Sequence, residues 1–452
     1  MPTLRLINPK NPINGLVDSH IARRVTFGRK AIFMPLGLMV VAGVVPSTWK
    51  VEICDECTGA LPESAAGLDL VGITAMTCQA PRAYEIADRY RQLKVPVILG
   101  GIHPSALPEE ALTHATAVSV GEAESTLPRM LADFEAGRLG GIYRAEGNVA
   151  IGRPRRDLLN PKDYFVWNAV QTSRGCPHRC RFCTTQAMYG GRFAWRPVEE
   201  ICQEIHELGA KRVVFSDDNI FGNHAWSRQL FTELEKMGVG WCGQASIDIA
   251  RDESTLDLVK RSGCMGLILG LESPRQECLA EGNKTYCDPA DYEPLIGRLK
   301  QRHIGVWGSL LFGFDCDTVE SCHDSVRFAR RVKLDISCYP VLTPYPGTPL
   351  FEQYAGEGRL LTRDWSKYNG ATAVFQPKLM SPRELQNCQM AAFGEFYSWG
   401  SMWQRLRILD LQKWAWIINL AIHGGLSYYY RTRHKQMPDF HQADRWREPQ
   451  VQ

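Results

Sequence analysis

Three cysteines stand close together in one short segment, residues 171–186, QTSRGCPHRCRFCTTQ. Cys176 and Cys180 are separated by three residues, and Cys180 and Cys183 by two. Cysteine thiolates bind zinc or iron–sulfur clusters, and a closed structural zinc site usually completes four protein ligands. Three thiolates on a cubane of four irons leave one iron without a protein ligand, so a small molecule can chelate it. The spacing therefore favours an open [4Fe-4S] site at Cys176, Cys180 and Cys183.

A zinc knuckle is the alternative interpretation of this segment. Its fourth ligand would be His178, the only histidine in the segment. Because His178 lies between the first two cysteines, we expect it instead to be a neighbour of the cluster. Gly175 and Pro177 shape the loop, and Phe182 can offer an aromatic face to a purine.

The elements that must position the cysteines follow a regular alternation. Apolar runs predict strands at residues 167–173, 212–218, 240–247, 265–273, 305–314 and 334–344. Helical patterns lie between them, at residues 196–209, 225–238, 253–263, 289–302 and 318–332. Six strands with intervening helices predict a parallel barrel or an open three-quarter barrel. The cysteines come just after its first strand, at the carboxyl end, where barrel active sites lie.

The N-terminal third shows a second alternation of strands and helices. Strands are predicted at residues 49–56, 68–76, 95–101 and 115–122, and helices at 35–45, 81–93 and 107–114. This rhythm predicts a doubly wound α/β domain, in which ligands bind beyond the carboxyl ends of the strands. Eight residues then share one rim: Thr74, Ala75, Met76, Gly100, Gly101, His103, Gly121 and Glu122.

Several rim residues allow two interpretations. Gly100 and Gly101 lack a Cβ, which either admits a bulky ligand or merely makes the turn after the strand. His103 is either a metal ligand or a cap or surface residue. Cys54 and Cys57 form a CxxC pair, but no second pair follows, so we expect no zinc or redox role there.

Composition excludes several classes of function. The 452 residues suffice for two or three domains, and 44% apolar with 22% charged residues is typical of a globular protein. Lys and Arg exceed Asp and Glu by only 52 to 49, which gives no support for nucleic-acid binding. No secretory signal is evident, and no uncharged apolar run reaches the ~18 residues of a membrane span. We expect a cytoplasmic protein whose cysteines outside the cluster are free thiols.

The sequence divides into four parts. They are a first domain at 1–145, a linker at 146–164, the barrel at 165–355 and a mostly helical extension at 356–452. The stretch 401–430 is unusually aromatic, and five of its residues fall near helical spacing: Trp403, Leu406, Leu411, Trp414 and Ile418. With Arg405, Arg407 and Lys413 interleaved, this helix either packs across the barrel mouth, which we favour, or lies in a membrane interface.

The Cys-x3-Cys-x-aromatic-Cys loop after the first barrel strand resembles the radical S-adenosylmethionine enzymes, over about residues 165–350. In that family the open iron binds the amino and carboxylate groups of S-adenosylmethionine, and one electron cleaves the sulfonium to methionine and a 5′-deoxyadenosyl radical. The resemblance implies that S-adenosylmethionine contacts Phe182, Ser216, Asp217, Asp218, Asn219, Gln244, Ser246, Glu272 and Ser309. The motif Ser-Asp-Asp-Asn after the second strand differs from the commoner Gly-Gly-Glu of the family. It still offers hydrogen-bond acceptors for the amino group of S-adenosylmethionine.

The first domain in turn resembles the cobalamin-binding domain found in one large subclass of that superfamily. There, turns such as Thr74-Ala75-Met76 and Gly100-Gly101 cradle the nucleotide tail of cobalamin, so the resemblance implies a cobalamin site along the whole rim. GGIHPSALPEEAL and VGEAESTLPRML match the wording of this subclass, which includes hopanoid methylases and the anaerobic magnesium-protoporphyrin cyclase. The Asp-x-His-x-x-Gly motif of many cobalamin proteins is absent, as is common in the subclass.

The resemblance implies a cobalamin-dependent radical enzyme that methylates an unactivated carbon of a small molecule. A lipid-like, tetrapyrrole or natural-product substrate is expected, and Trp307, Tyr339 and Tyr345 either line a site for a planar molecule or belong to the core. An electron donor such as flavodoxin or ferredoxin is the implied partner, with peripheral contact to the inner membrane face as a further option. A cyclase or oxidative rearrangement enzyme is the alternative, and a non-catalytic cobalamin or metal sensor is a third hypothesis.

Overall fold

Two six-stranded parallel sheets organise the chain. The computed structural model describes residues 1–11, 28–147, 149–405 and 417–425. Both predicted α/β units are present, a doubly wound domain and an open partial barrel.

The first sheet has the strand order β3-β1-β4-β5-β6-β7, with all neighbours parallel. Its strands are β1 (Thr3–Asn8), β3 (Lys50–Asp55), β4 (Leu70–Thr74), β5 (Val97–Gly100), β6 (Ala117–Val120) and β7 (Gly141–Arg144), and a short β2 (Ala31–Phe33) pairs with β8 (Tyr164–Val166). The four predicted strands are present: β4, β5 and β6 are apolar runs buried on both faces, whereas β3 lies at the edge of the sheet and is only partly buried. The sequence analysis missed β1, whose Arg5 is buried in an ion pair with Glu52 and a hydrogen bond to Tyr90.

The second sheet forms the open barrel, in the order β16-β15-β14-β13-β12-β9. In chain order its strands are β9 (Ala169–Val170), β12 (Arg212–Phe215), β13 (Gly240–Ala245), β14 (Cys264–Glu272), β15 (Gly305–Leu310) and β16 (Ile336–Cys338), and a hairpin of β10 (Ser173–Gly175) and β11 (Phe193–Trp195) follows β9. Neighbours along the chain are neighbours in the sheet, as in a (βα) barrel, and β9 and β16 are its two edges. The prediction of an open barrel is confirmed.

Helices cover both sheets. In the first domain they are α1 (Leu36–Gly43), α2 (Ala80–Gln92), α3 (Ile102–Ala106), α4 (Pro108–His114) and α5 (Ala123–Glu135). The barrel carries α6 (Thr184–Tyr189), α7 (Val198–Leu208), α8 (His224–Met237), α9 (Glu253–Arg261), α10 (Gln276–Glu281), α11 (Pro289–Gln301) and α12 (Val319–Arg331). They are followed by α13 (Pro349–Gly356), α14 (Pro382–Phe396) and α15 (Trp399–Arg405).

The C-terminal extension begins with loops that return to the first domain. Phe351, Trp365, Tyr368 and Val374 pack into the core of the first domain, together with residues of β4, β5 and α2. Only from Pro382 onward is the extension helical, in α14, α15 and residues 417–425. The long helices of the extension therefore begin at Pro382.

The aromatic stretch 401–430 is described only in part, and Leu406, Leu411 and Trp414 lie outside the described residues. Arg405, expected on a polar helix face, is instead 3% exposed, and its guanidinium lies 3.5 Å above the ring of Phe396. It donates hydrogen bonds to the carbonyls of Leu334 and Phe396, so this helix is anchored against the barrel. Among the described residues, no helix combines the length and apolar character that a membrane crossing requires.

One expectation about the cysteines is wrong. Cys278 of α10 and Cys316, in the loop after β15, form a disulfide with their Cα atoms 6.3 Å apart. The two cysteines are 38 residues apart in the chain, and only the barrel topology brings them together. The other described cysteines are free.

Candidate functional site

The cysteine loop begins at Gly175, whose backbone conformation is tightly fixed. Gly175 has φ +87°, and a Cβ at this position would lie 2.1 Å from the carbonyl oxygen of Arg192 on the paired strand of the hairpin. Its N–H donates to Oδ2 of Asp218 at 2.9 Å. Only glycine fits this conformation and this space, so the start of the loop is held rigidly at the carboxyl end of the barrel.

The three thiols lie together in a largely buried setting. Cys180 is 8% exposed, and Cys176 and Cys183 are half-buried. Burial raises the pKa of Cys176, and it raises the pKa of Cys180 to about 12 although the Lys284 ammonium opposes this shift. Asn219 directs its Nδ2 towards Sγ of Cys176 at 3.7 Å. Such a donor stabilises a sulfur that carries negative charge.

The spacing of the thiols fits a polynuclear cluster better than a single ion. Thiolates around one tetrahedral zinc, at about 2.3 Å from the metal, would be about 3.8 Å apart. Among the described residues, the three loop thiols do not form a set whose sulfur atoms all lie within 4.8 Å of one another, so at least one pair of them is more widely spaced. The residues present therefore fit a [4Fe-4S] cluster held at three corners.

The aromatic neighbours of the loop are packed rather than free. The ring of His178 lies flat on Tyr286, with centroids 3.4 Å apart and planes 6° apart, and burial lowers its pKa. Tyr286 thus covers one face of the His178 ring, and the place of His178 beside the cluster stays a prediction. One side of Phe182 is occupied by Phe314, 6.3 Å away between centroids, so at most its other side faces a ligand.

The four polar residues after β12 have different roles. Asp217 is 4% exposed, and its carboxylate accepts hydrogen bonds from the N–H groups of Thr172 and Ser173 and from the Thr172 hydroxyl. A carboxylate with both oxygens engaged and no access to the cavity cannot meet an ammonium group. The inclusion of Asp217 among the S-adenosylmethionine contacts is therefore wrong, and the residue anchors β9 to β12.

Its neighbours lie at the edge of the cavity. Asp218 accepts hydrogen bonds from the Gly175 N–H and the Thr185 hydroxyl, on both sides of the cysteine loop. Asn219 holds Ser246 through its amide group, with Nδ2 and Oγ 3.2 Å apart. These residues brace the loop, and Asp218 and Ser246 keep further lone pairs for a ligand.

The inner face of the barrel carries the other predicted contacts. Ser216 and Gln244 are exposed there, and Ser309 is half-buried. Trp307 is 37% exposed although it lies in the middle of a strand, and its Nε1 donates to Sγ of Cys338 at 3.4 Å. An accessible indole within a barrel wall indicates an open cavity.

Glu272 ends β14 in an unusual conformation. Its φ is +63°, in the left-handed region that non-glycine residues seldom adopt. Oε1 of Glu272 binds the buried ammonium of Lys284 at 2.8 Å, and a Cβ on Gly270 would lie 2.4 Å from that oxygen. Burial alone would lower the pKa of Lys284, but Glu272 raises it, so the cation is retained beside the cysteine loop. Sequence reasoning missed Lys284, which lies twelve residues after Glu272 with no motif of its own.

The rim of the first domain is at least partly accessible at five of the predicted residues, Thr74, Met76, Gly100, Gly101 and Gly121. Met76 is 45% exposed, and Thr74 and Gly100 are half-buried. Ala75 is 1% exposed and takes part only through its backbone, which donates to the carbonyl of Gly100. Gly101 has φ +97°, and a Cβ there would lie 2.9 Å from the backbone of Ala75. Gly101 thus makes the turn after β5, and its place in the cobalamin site stays a prediction.

His103 and Glu122 do not line the rim as predicted. His103 is fully buried, and its Nε2 lies 3.1 Å from the Tyr84 hydroxyl and 3.2 Å from Glu110, so it cannot reach a metal. Glu122 is 5% exposed and pairs with Arg174 of the barrel domain. His103 has Tyr84, 19 residues away, as a partner and Glu122 has Arg174, 52 residues away, and local patterns could not reveal either contact. Gly121 remains at the rim, half-buried.

Two family models match the chain, in the same places as the two sheets. The B12 binding domain matches residues 25–131. The Radical SAM superfamily matches residues 170–329.

Curated relatives extend over nearly the whole chain. Bacteriochlorophyllide d C-12(1)-methyltransferase of Chlorobaculum tepidum is 30% identical over 92% of this chain and 92% of its own length. Bacteriochlorophyllide d C-8(2)-methyltransferase of the same organism is 28% identical over 80% of this chain and 85% of its own. The hopanoid C-2 methylase of Rhodopseudomonas palustris and the magnesium-protoporphyrin cyclase of Cereibacter sphaeroides are 26% and 25% identical.

Solved structures share the architecture. The radical S-adenosylmethionine methyltransferase TsrM of Kitasatospora setae, with cobalamin and a [4Fe-4S] cluster bound, superposes with a TM-score of 0.62 at 18% identity, over 86% of this chain and 85% of that one. Among the described residues of the rim, no histidine is accessible, since His103 is buried, and this fits the cobalamin domain of the subclass. The chain therefore belongs to the cobalamin-binding subclass of the radical S-adenosylmethionine superfamily and is an enzyme that uses a [4Fe-4S] cluster, S-adenosylmethionine and cobalamin.

Proposed function

We propose that this enzyme transfers a methyl group to an unactivated carbon at the periphery of a tetrapyrrole. The observation that carries the proposal is that α3, the helix after the rim of the first sheet, lies against α6, the helix that follows the cysteines, with Gly347 beside both. A Cβ on Gly347 would lie 3.2 Å from Cβ of Ala106, in α3, and 3.8 Å from Cβ of Ala187, in α6. A methyl group carried at the rim would thus face the mouth of the barrel.

The residues of the barrel divide the task of holding S-adenosylmethionine. Cys176, Cys180 and Cys183 would hold the cluster and leave one corner open, and the buried ammonium of Lys284 offers a counter-charge for a carboxylate. Glu272, held by Lys284, keeps a second oxygen for hydroxyl groups of a ribose. When bound, the cluster, S-adenosylmethionine and cobalamin supply the one-electron cleavage and the methyl group.

The substrate class rests on the relatives and on the barrel wall. Two of the relatives are named for methylation of bacteriochlorophyllide d, a planar macrocycle. Trp307 presents an accessible indole face between Ile268 and Ile336 of the neighbouring strands, which suits stacking on a conjugated ring. Tyr339 is fully buried against Phe312 and takes no part in this wall.

The test is an anaerobic assay of the reconstituted enzyme. The protein is loaded with iron, sulfide and cobalamin, then given S-adenosylmethionine, bacteriochlorophyllide d and a reductant, with reduced flavodoxin or ferredoxin as the proposed natural donor. We expect a product heavier by one methylene unit, with 5′-deoxyadenosine and S-adenosylhomocysteine formed in equal amounts. A matched Cys180→Ala variant should form none of the three.

Other outcomes separate the alternatives. Release of 5′-deoxyadenosine with a product that gains no methylene unit would replace methyl transfer by cyclisation or rearrangement. A protein that binds cobalamin and a cluster but never cleaves S-adenosylmethionine would be a sensor. A methylated product from a lipid or another small molecule, but not from a tetrapyrrole, would keep the reaction and overturn the substrate class.

A further inference from the structure

A buried set of charges connects the cobalamin rim to the cysteine loop. Glu122 follows β6 directly after Gly121, and Glu124 lies in the first turn of α5. Arg174 lies in β10, two residues before Cys176. The ion pairs between them therefore join the edge of the first sheet to the segment that begins the cluster site.

The contacts are short and shielded from solvent. Nη1 of Arg174 lies 3.2 Å from Oε1 of Glu122, and Nη2 lies 2.8 Å from Oε1 of Glu124. The side chains of the three residues are 8%, 5% and 6% exposed. Gln171 also accepts from Nη2 at 3.0 Å, and Arg192 approaches Glu122 at 3.5 Å. The guanidinium is thus held from both domains at once.

Neither end of this connection has room to move. Arg174 is paired with Ala194 in the β10–β11 hairpin, and Gly175 is locked against Arg192 and Asp218. On the other side, the N–H of Gly121 donates to the Ser105 hydroxyl at 2.9 Å. A displacement of Glu122 relative to Arg174 would therefore be passed on to the cluster loop.

Arg192 adds one more directional contact, donating to the carbonyl of Gly147 at 2.8 Å, whereas another part of the seam sets closeness but not register. Ala106, Ala187 and Gly347 meet there through small side chains or none. Contacts of this kind are non-directional, whereas a guanidinium held by two carboxylates fixes both distance and orientation.

The free energy of buried ion pairs also favours a geometric role for these charges. A buried ion pair is often no more stabilising than an apolar replacement of similar volume, because desolvation offsets the attraction. Its contribution is then geometric rather than stabilising. We propose that Arg174, Glu122 and Glu124 form an interdomain clamp that sets the distance between the cobalamin bound at the rim and the cluster bound by the loop.

This inference rests on the proposed function, in which a group carried at the rim must reach a carbon activated at the loop. A misplacement of about 1 Å can cost a reaction of this kind about a hundredfold in rate. Loosening the clamp should leave S-adenosylmethionine cleavage intact, because that site lies wholly within the barrel. Methyl transfer, which needs both domains, should fail. Arg174, Glu122 and Glu124 are positioning residues in this scheme and touch no reacting atom.

The decisive measurement is made on the anaerobic holoenzyme of an Arg174→Gln variant. Pulsed EPR between the cob(II)alamin spin and the reduced cluster spin should give one narrow distance distribution in the wild type and a broader one in the variant. The ratio of 5′-deoxyadenosine to methylated product should rise about tenfold or more. Arg153→Gln, which removes an exposed pair with Glu207, is the control and should leave both unchanged.

Further variants keep the test decisive if Arg174→Gln fails to fold. The double variant Glu122→Gln and Glu124→Gln should broaden the distribution in the same way, and Arg174→Lys should restore it in part. An unchanged distance distribution and product ratio in the folded variants would overturn the clamp. A wild type without any methylated product would overturn the proposed function, while the spin–spin distances would still test the clamp.

Discussion

At the scale of single residues, variants of Asp217 distinguish a structural carboxylate from one that binds S-adenosylmethionine. Removing its side chain in Asp217→Ala leaves the buried amides of Thr172 and Ser173 without an acceptor, each costing about 1–3 kcal/mol. Asp217→Asn keeps one oxygen for both amides. We expect the alanine variant to lose on the order of 3 kcal/mol in urea unfolding and the asparagine variant much less. Normal stability of Asp217→Ala combined with loss of S-adenosylmethionine binding would make the residue a ligand instead.

The charge on Asp217 also predicts a pH dependence. Burial raises its pKa to about 6, although the hydrogen bonds from Ser173 and Thr172 oppose this. The folded state then holds a proton that the unfolded chain releases near pH 4, so this stabilisation is complete below about pH 4 and is lost as the pH rises to about 6. Relative to the wild type, Asp217→Asn should therefore become more stable between pH 4 and pH 7. Thermal unfolding across this range measures the difference, and parallel curves would contradict it.

Lys284 carries the third prediction at this scale. Replacing the buried pair by Lys284→Gln with Glu272→Gln removes both charges without leaving one of them unpaired. A charge-assisted contact to a carboxylate is worth about 1.5–3 kcal/mol, so the affinity for S-adenosylmethionine should fall roughly tenfold or more. Equilibrium dialysis of the cluster-loaded protein measures it. Lys300→Gln is the control, because it removes the ammonium that pairs with Asp335 in the wild type. Equal affinities in the two variants would remove Lys284 from the site.

At the scale of elements, two glycines with positive φ test how the hairpin fixes the loop. Gly175 and Gly190 have φ +87° and +61°, but a Cβ would meet the Arg192 carbonyl at 2.1 Å only at Gly175, and nothing within 4 Å at Gly190. Gly190→Ala should cost only the backbone strain of about 1 kcal/mol. Gly175→Ala must also open the hairpin and displace Cys176. We expect iron and sulfide contents near the wild-type value for Gly190→Ala and a large loss for Gly175→Ala, and equal contents would refute the fixed hairpin.

The sequence predicted elements better than it predicted partners. The six barrel strands and the three thiols could be predicted because apolar runs and cysteine spacing are local signals in the sequence. Strand β1 was missed since Arg5 lies within it, and its partner Tyr90 is 85 residues away. His103, Asp217 and Glu122 were assigned to ligands for the same reason, because each finds a buried partner that only the folded chain supplies. The sequence thus indicates which polar residues follow a strand, but whether such a side chain faces the cavity or a buried partner depends on tertiary contacts.

At the scale of the whole molecule, the C-terminal extension connects the two domains a second time. The linker joins them before the barrel, and the extension joins them after it. After the barrel it returns to the first domain, where Trp365 is 7% exposed and donates from Nε1 to Glu110 at 2.9 Å. Its ring also meets His103, with centroids 5.2 Å apart. The network that holds α4 against α2 therefore includes a residue from the far end of the chain, and the first domain is incomplete without it.

This arrangement predicts that Trp365→Ala weakens the cobalamin domain from a distance. Removing a buried tryptophan costs about 3–5 kcal/mol and leaves Glu110 short of one donor. Trp403→Ala, at a site that is 59% exposed, is the matched control and should change stability by less than about 1 kcal/mol. Because Trp365 packs on the first domain, hydrogen exchange should accelerate in α2, α4 and β5 while the helices α8 and α9 of the barrel stay protected. Cobalamin retention on gel filtration should fall with it, since the rim at Gly100 ends β5. Exchange that accelerates equally in both domains would show that the extension stabilises the chain globally and does not complete the first domain.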